Sequence, residues 1–347
     1  MTATVRVGVL NDMADLGEAG DLSDWLEREV DALRANGRIK ASVEFVHAYG
    51  LGLPSGTVEA IEQAYHDLAR QDVLLIVGPA LGDNAMIATP LAERMRLPTI
   101  NWSGAERARG KYMFQLQVGS HEEEALVMAR HLASTGARRL GVVYDISPLG
   151  TRHLKRLEDE AAILGLEVVA REGVSPLATE AKAAVDAALA ASPDAFVYLG
   201  LGMTALAVAD AVNASGWQGI RMMNTAGFGR NEPATRCNGW AFVDMLSDSN
   251  RTCASLCEAL DIPPDQALAA ARGHDMGRLV AEGIARANGL TREGVRNGLE
   301  QVKWLPAAQG TDETLLGFGV QDRGALHGRF LVVRQWSDGR SVEVTRS

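Results

Sequence analysis

Asp72-Val-Leu-Leu-Ile-Val-Gly-Pro79, then Ala80-Leu-Gly-Asp-Asn84 and, after a helical run, Leu97-Pro-Thr-Ile-Asn-Trp-Ser103, read as strand, loop, helix and strand. Residues 73–77 form a continuous apolar run, the pattern of a strand covered on both faces, and Gly78-Pro79 ends it. The loop from Ala80 therefore lies at the strand's carboxyl end. Open parallel sheets bind ligands there, on free backbone N–H groups and the positive end of the next helix. Asp83 or Asn84 is expected to cap that helix, and Trp102-Ser103 to emerge beside it from the following strand.

The same alternation extends in both directions. Upstream, residues 5–10 and 43–46 read as strands. Residues 21–36 place Leu22, Leu26, Val30 and Leu33 on one helical face, stopped by Gly37, and residues 57–70 place Val58, Ile61, Tyr65 and Leu68 on another. Downstream, after a strand over 112–118, the pattern restarts: helices over 122–134, 151–164, 180–191 and 204–215, with strands over 140–144, 167–170, 195–199 and 220–224. Repeated β-α-β units predict parallel sheets. The restart near 119 predicts two similar lobes rather than one barrel. Residues 238–246 read as a further strand, 252–260, 264–288 and 291–302 as helices, and 316–344 as strands and turns, so the chain is expected to return to the first lobe and cross again.

The 347 residues are 47% apolar and 22% charged, enough for two globular domains. A net charge of −10 leaves no basic surface to collect phosphates, which argues against nucleic acid and acidic membranes as partners. No stretch approaches the roughly 20 apolar residues of a transmembrane helix. The first strand begins almost at Met1, without the charged and apolar segments of a signal peptide. The chain as written is thus expected in the cytoplasm if complete, and outside it if a signal peptide has been removed. Cys237, Cys253 and Cys257 are too few for a disulfide framework or a zinc site and read as buried free thiols.

The order and spacing of Val5-Arg-Val-Gly-Val-Leu10, Leu75-Ile-Val-Gly-Pro79, Leu97-Pro-Thr-Ile100, Arg139-Leu-Gly-Val-Val-Tyr144, Pro193-Asp-Ala-Phe-Val-Tyr-Leu-Gly200 and Gly273-His-Asp-Met-Gly-Arg-Leu279 resemble the type I periplasmic binding proteins, specifically the branched-chain amino acid and amide-binding receptors. The resemblance covers nearly the whole chain. It implies two Rossmann-like lobes, 1–118 with 247–318 and 119–246 with 319–347, joined by hinge crossings near 118, 246 and 319, with ligand held in the cleft between them. It also implies a small-molecule ligand, with a membrane permease of an ABC transporter or a regulatory protein as partner, no cofactor and no catalysis. The family's carboxylate-gripping loop falls on Ala80 to Asn84 and its next hydroxyl contact on Ser103. Its aromatic-glycine pair becomes Leu149-Gly150, and the acid that would receive an amino group falls near Ala226.

The ligand-binding set expected on these grounds is Asn11, Leu81, Asp83, Asn84, Trp102, Ser103, Leu149, Gly202, Met203, Thr225 and Ala226. Without the acid, a buried ammonium would lack a partner, at a cost of several kcal/mol. Asp83 would repel a carboxylate if it faces inward, or simply cap its helix if it faces water. A weakly charged, partly apolar ligand is therefore expected rather than a free α-amino acid, with Trp102, Leu149 and Met203 as walls unless Trp102 is core.

Gly200-Leu-Gly202-Met-Thr-Ala205 follows a strand and opens a helix, so it fits the dinucleotide fingerprint G-x-G-x-x-G/A. The next strand ends at Asn224 rather than at a ribose-binding acid, which favours a tight turn. The seven histidines are dispersed: His121 and His131 lie ten apart in one predicted helix, and each reads as surface or hydrogen-bonded. Glu122-Glu-Glu124 reads as an acidic first turn favoured by the helix macrodipole, and no G-x-S-x-G elbow is present. Two roles follow, a transport receptor or a cytoplasmic ligand sensor.

Overall fold

A computed structural model describes residues 3–12, 20–49, 57–225 and 236–344. The chain divides into two compact units, Met1–Val118 with Ser249–Phe330, and Gly119–Asp248 with Leu331–Ser347.

The first unit opens with β1 (Thr4–Leu10), α1 (Gly20–Ala35), β2 (Ser42–Ala48), α2 (Val58–Arg70), β3 (Leu75–Val77), α3 (Gly82–Met95), β4 (Thr99–Asn101) and β5 (Met113–Gln115). Its sheet runs β2-β1-β3-β4-β5, parallel throughout. The apolar run behaves as its composition requires: Leu75, Ile76 and Val77 are wholly buried, with helices covering their faces. On α2, Thr57 caps the N-terminus by accepting the Ala60 N–H, and Ile61, Tyr65 and Leu68 are buried on the sheet. Each such aliphatic burial stabilises by about 1.5–3 kcal/mol. Val58, expected on that face, is instead exposed.

The second unit follows with α4 (Glu124–Ser134), β6 (Arg139–Asp145), α5 (Pro148–Ile163), β7 (Glu167–Val174), α6 (Lys182–Ala190), β8 (Ala195–Leu199), α7 (Ala205–Ala214), β9 (Ile220–Met223) and β10 (Trp240–Asp244). The chain then returns to the first unit through α8 (Arg251–Leu260), α9 (Ala267–Ala285), α10 (Arg292–Glu300) and three short antiparallel strands, β11 (Leu305–Pro306), β12 (Leu315–Leu316) and β13 (Leu326–His327). The single helix expected over 264–288 is preceded by a separate 3-10 turn at Pro264–Gln266 and ends three residues early. α9 packs on α1 so closely that a Cβ on Gly273 would lie 2.4 Å from the Trp25 ring, which explains the glycine there.

β14 (Val332–Ser337) and β15 (Arg340–Glu343) complete the second sheet, in the order β15-β14-β10-β9-β8-β6-β7. These last two strands are antiparallel to their neighbours, so the second sheet is mixed rather than wholly parallel. The third crossing falls after Phe330, not near 319. The reason is local pairing: the Gln115 N–H donates to the Arg323 carbonyl at 2.9 Å and the Ala325 N–H to the Gln115 carbonyl at 2.8 Å, which ties 323–325 beside β5.

Candidate functional site

The carboxyl edge of the first sheet is built around a residue that sequence reasoning missed. Asp12, two positions past β1 and 4% exposed, accepts the backbone N–H of Ala80 at 2.7 Å and of Leu81 at 2.9 Å, and the Asn84 side-chain amide at 3.0 Å. Burial raises its pKa while those donors oppose the rise. Neither Asp83 nor Asn84 caps α3. The cap position is Leu81, without a side-chain bond, because Asn84 is buried and turned to Asp12; Asp83 lies half-buried in the first turn. Asn11 bonds the Ala48 carbonyl and His47 Nδ1, and so ties β1 to β2.

Beyond β4, Trp102 is half-buried, and its backbone N–H donates to the Pro79 carbonyl at 3.1 Å. Ser103 is fully buried. Its hydroxyl donates to Asn101 Oδ1 at 2.9 Å and accepts the Ala105 N–H at 3.3 Å. Asn101 in turn donates to the Ala108 and Phe114 carbonyls, so the hydroxyl expected to meet ligand already serves the loop.

The second sheet repeats the device. Asp145, at the end of β6 and fully buried, accepts the Leu201 N–H and the Tyr198 hydroxyl, both at 2.8 Å. Burial raises its pKa, and raises that of Tyr198 as well. The Gly200 N–H donates to Asn224 Oδ1 at 3.1 Å and its carbonyl accepts the Asn224 amide at 3.0 Å. A Cβ on Gly200 would fall 2.3 Å from Asp145 Oδ2. Glycine is required here by the Asp145 clamp, and the N–H groups a pyrophosphate would need are already committed. The turn then continues through Gly202 at φ +92°.

Ser147 caps α5 by accepting the Gly150 N–H at 3.0 Å, which buries Leu149 in the first turn. Thr225 lies just past β9, and its N–H donates to Glu124 Oε2 at 2.8 Å. Ala226 lies outside the described residues. Glu124 is a buried carboxyl rather than a solvated member of an acidic turn: it also accepts the Ser120 N–H at 2.8 Å, and burial pushes its pKa up to about 7. His121 precedes α4, is buried, and meets His153 edge-to-face, with ring centroids 5.1 Å apart. Cys237 and Cys253 are buried and Cys257 only partly so, and no disulfide joins them.

Three large apolar side chains project into solvent from the carboxyl-edge loops of adjacent strands β6, β7 and β8: Ile146 (66% exposed), Leu177 (54%) and Met203 (47%). Asp12 in the first unit, and Asp145 and Glu124 in the second, each accept backbone N–H groups and so fix loops of their own unit. Among the described residues no group of three metal-ligating side chains occurs, and no helix is long and apolar enough to cross a membrane.

No curated protein matches the chain significantly. Solved structures share its fold. A type 1 periplasmic binding protein of Bordetella pertussis has 15% identity and a TM-score of 0.82, covering 99% of this chain and all of its own. A leucine-binding protein of Thermotoga maritima has 16% identity and a TM-score of 0.78 over 98% of each chain. An ABC transporter substrate-binding protein of Desulfitobacterium hafniense, solved in complex with Leu, has 17% identity and a TM-score of 0.78, covering 98% of this chain and all of its own. Residues 4–323 match the family model described as periplasmic binding protein, and the chain belongs to that family, with the type I fold.

Proposed function

We propose that the protein is the substrate-binding component of a branched-chain amino acid-type ABC transporter, acting outside the cytoplasm and delivering its solute to a membrane permease without transforming it. The solute is weakly charged and partly apolar. The observation that carries this reading is the solvent-facing apolar set Ile146, Leu177 and Met203, beside carboxylates that are already filled by backbone N–H groups. An α-amino group buried among them would find no free acid, whereas an apolar chain gains about 25 cal/mol per Å² covered. Trp102 and Leu149 extend the apolar walls, and Leu81, Gly202 and Thr225 supply loop backbone and hydroxyl groups to orient a polar end. The fold-mates named for leucine support the transport class, and the engaged carboxylates favour a solute other than free leucine.

A thermal-shift screen of aliphatic and aromatic amides and acids against the full chain, with free leucine as reference, tests this, since a ligand of the folded form raises its unfolding midpoint. Amides or aromatic acids should shift the midpoint more than leucine. Micromolar leucine affinity by calorimetry would refute the ligand class. Reproducible turnover of a hit would refute the receptor role.

A further inference from the structure

At the amino edge of the first unit's sheet, away from the carboxyl-edge loops, lies a groove of 620 Å³. Its apolar lining is Leu74, Met95 and Leu290, the last 42% exposed. Its polar lining is cationic: Arg96 at the end of α3, Lys111 just ahead of β5, and Arg292 at the start of α10. Arg96 and Lys111 both lie near enough to Glu293 to lower its pKa, and the Lys111 ammonium lies 5.6 Å from the Tyr112 ring centroid. Arg292 is held in place by hydrogen bonds to the Val73 carbonyl at 3.0 Å and the Ala69 carbonyl at 3.2 Å, with Asp72 as its nearby acid. The groove's own carboxylate, Glu293, accepts the Tyr112 hydroxyl at 2.5 Å and pairs with Arg296 at 3.3 Å, and the nearby charges of Lys111 and Arg96 also help to lower its pKa.

A cation at the end of α3 is favoured by that helix's dipole, which accounts for Arg96 but not for Lys111 or Arg292. Three cations around a concavity, in a chain whose net charge is −10, make a local reversal of potential. The volume falls within the roughly 300–1,000 Å³ of small-molecule sites. We propose that this groove is a second binding site, for a small amphiphilic anion whose carboxylate or phosphate sits among Arg96, Lys111 and Arg292 while its apolar chain lies on Leu74, Met95 and Leu290.

Exposed cations give modest, salt-screened attraction, so a dissociation constant on the order of 1 mM at low salt is expected. The full isotope-labelled chain is titrated separately with hexanoate, hexyl phosphate and acetate, following the backbone amides of Leu74, Lys111 and Leu290 by NMR. The comparison protein carries Arg96→Gly with Lys111→Ser. Glycine is at ease in the left-handed conformation Arg96 holds, φ +47°, so the fold should persist; Lys111→Ser alone serves if the double variant's unfolding midpoint drops. Saturable shifts with hexanoate or hexyl phosphate, weakened at least about fivefold in the variant, support the site, and the tighter probe identifies the headgroup. Shifts that do not saturate, or that survive unchanged in the variant, overturn it. Acetate binding as tightly as hexanoate overturns the amphiphilic assignment.

Discussion

The Glu124 carboxylate joins two backbone positions far apart in sequence, accepting the N–H of Ser120 through one oxygen and that of Thr225 through the other, each at 2.8 Å. A side chain at the start of α4 thus fixes the loop after β9. Replacing it with alanine strands two buried N–H groups, at about 1–3 kcal/mol each, so Glu124→Ala should lower the unfolding midpoint markedly. Its folded pKa, about 7, lies above the ordinary 4.5, so the folded state holds the proton more tightly. The carboxyl's contribution to stability is therefore greatest below pH 4.5 and declines as pH rises through 7. The midpoint difference between wild type and Glu124→Gln, followed across that range, should shrink with rising pH. A difference that stays flat would show that the carboxyl does not titrate there.

His121 and His153 carry the opposite slope. Both are buried and in ring contact, and burial lowers both pKa values, that of His153 from 6.5 to about 4. The unfolded chain takes up these protons first, so stability is full above pH 6.5 and is lost as pH falls towards 4. His153→Phe keeps a ring in the contact and removes one titration. Relative to wild type, its midpoint should rise progressively between pH 6.5 and 4. Parallel curves for the two proteins would contradict a neutral buried pair.

Much of the fold was legible because its cause is local. Residues 73–77 read as a doubly covered strand, and their last three, Leu75–Val77, form one; the α2 stripe of Ile61, Tyr65 and Leu68 faces the sheet as its spacing requires. The clamps were not legible. Asp12 meets Ala80 because β1 is paired with β3, and Asp145 meets Leu201 because β6 is paired with β8, adjacencies that chain order does not reveal. The available signal was position: each acid lies at the carboxyl end of the first strand of its unit, where a polar side chain can reach the next loop. His121 reads from sequence as surface or hydrogen-bonded; its burial against His153, 32 positions on in α5, is a long-range contact that chain order does not reveal. The last crossing was misplaced because 323–325 add to the edge of β5 through backbone bonds, and backbone pairing leaves no side-chain pattern.

Gly200 should tolerate no side chain. A Cβ there would meet Asp145 Oδ2 at 2.3 Å and the Tyr198 hydroxyl at 2.4 Å, both fully buried and hydrogen-bonded to each other. Gly200→Ala must then displace the clamp or the turn, at roughly 1–3 kcal/mol. Gly239→Ala meets nothing within 4 Å but sits at φ +82°, so it reports the backbone cost alone. Gly200→Ala should be the more destabilised of the two in denaturant unfolding. The reverse order would mean that the Asp145 clamp yields freely.

Trp102 separates the proposed site from the core beneath it. It stands one residue past β4, half-buried, with its backbone tied to Pro79. A tryptophan wholly inside a core costs about 3–5 kcal/mol of stability when truncated to alanine. A wall residue at a strand's carboxyl end instead supplies aromatic contact to ligand, worth about 0.5–1.5 kcal/mol beyond its area, and supports little beneath. Trp102→Ala should therefore leave the ligand-free unfolding midpoint nearly unchanged while weakening affinity for the best screening hit by about tenfold, the equivalent of 1.4 kcal/mol. In the wild type, ligand should also change the tryptophan fluorescence by desolvating this ring, and Trp102→Ala should abolish that change. Unchanged affinity together with a large fall in midpoint would place Trp102 in the core after all, and would remove one of the apolar walls on which the ligand class depends.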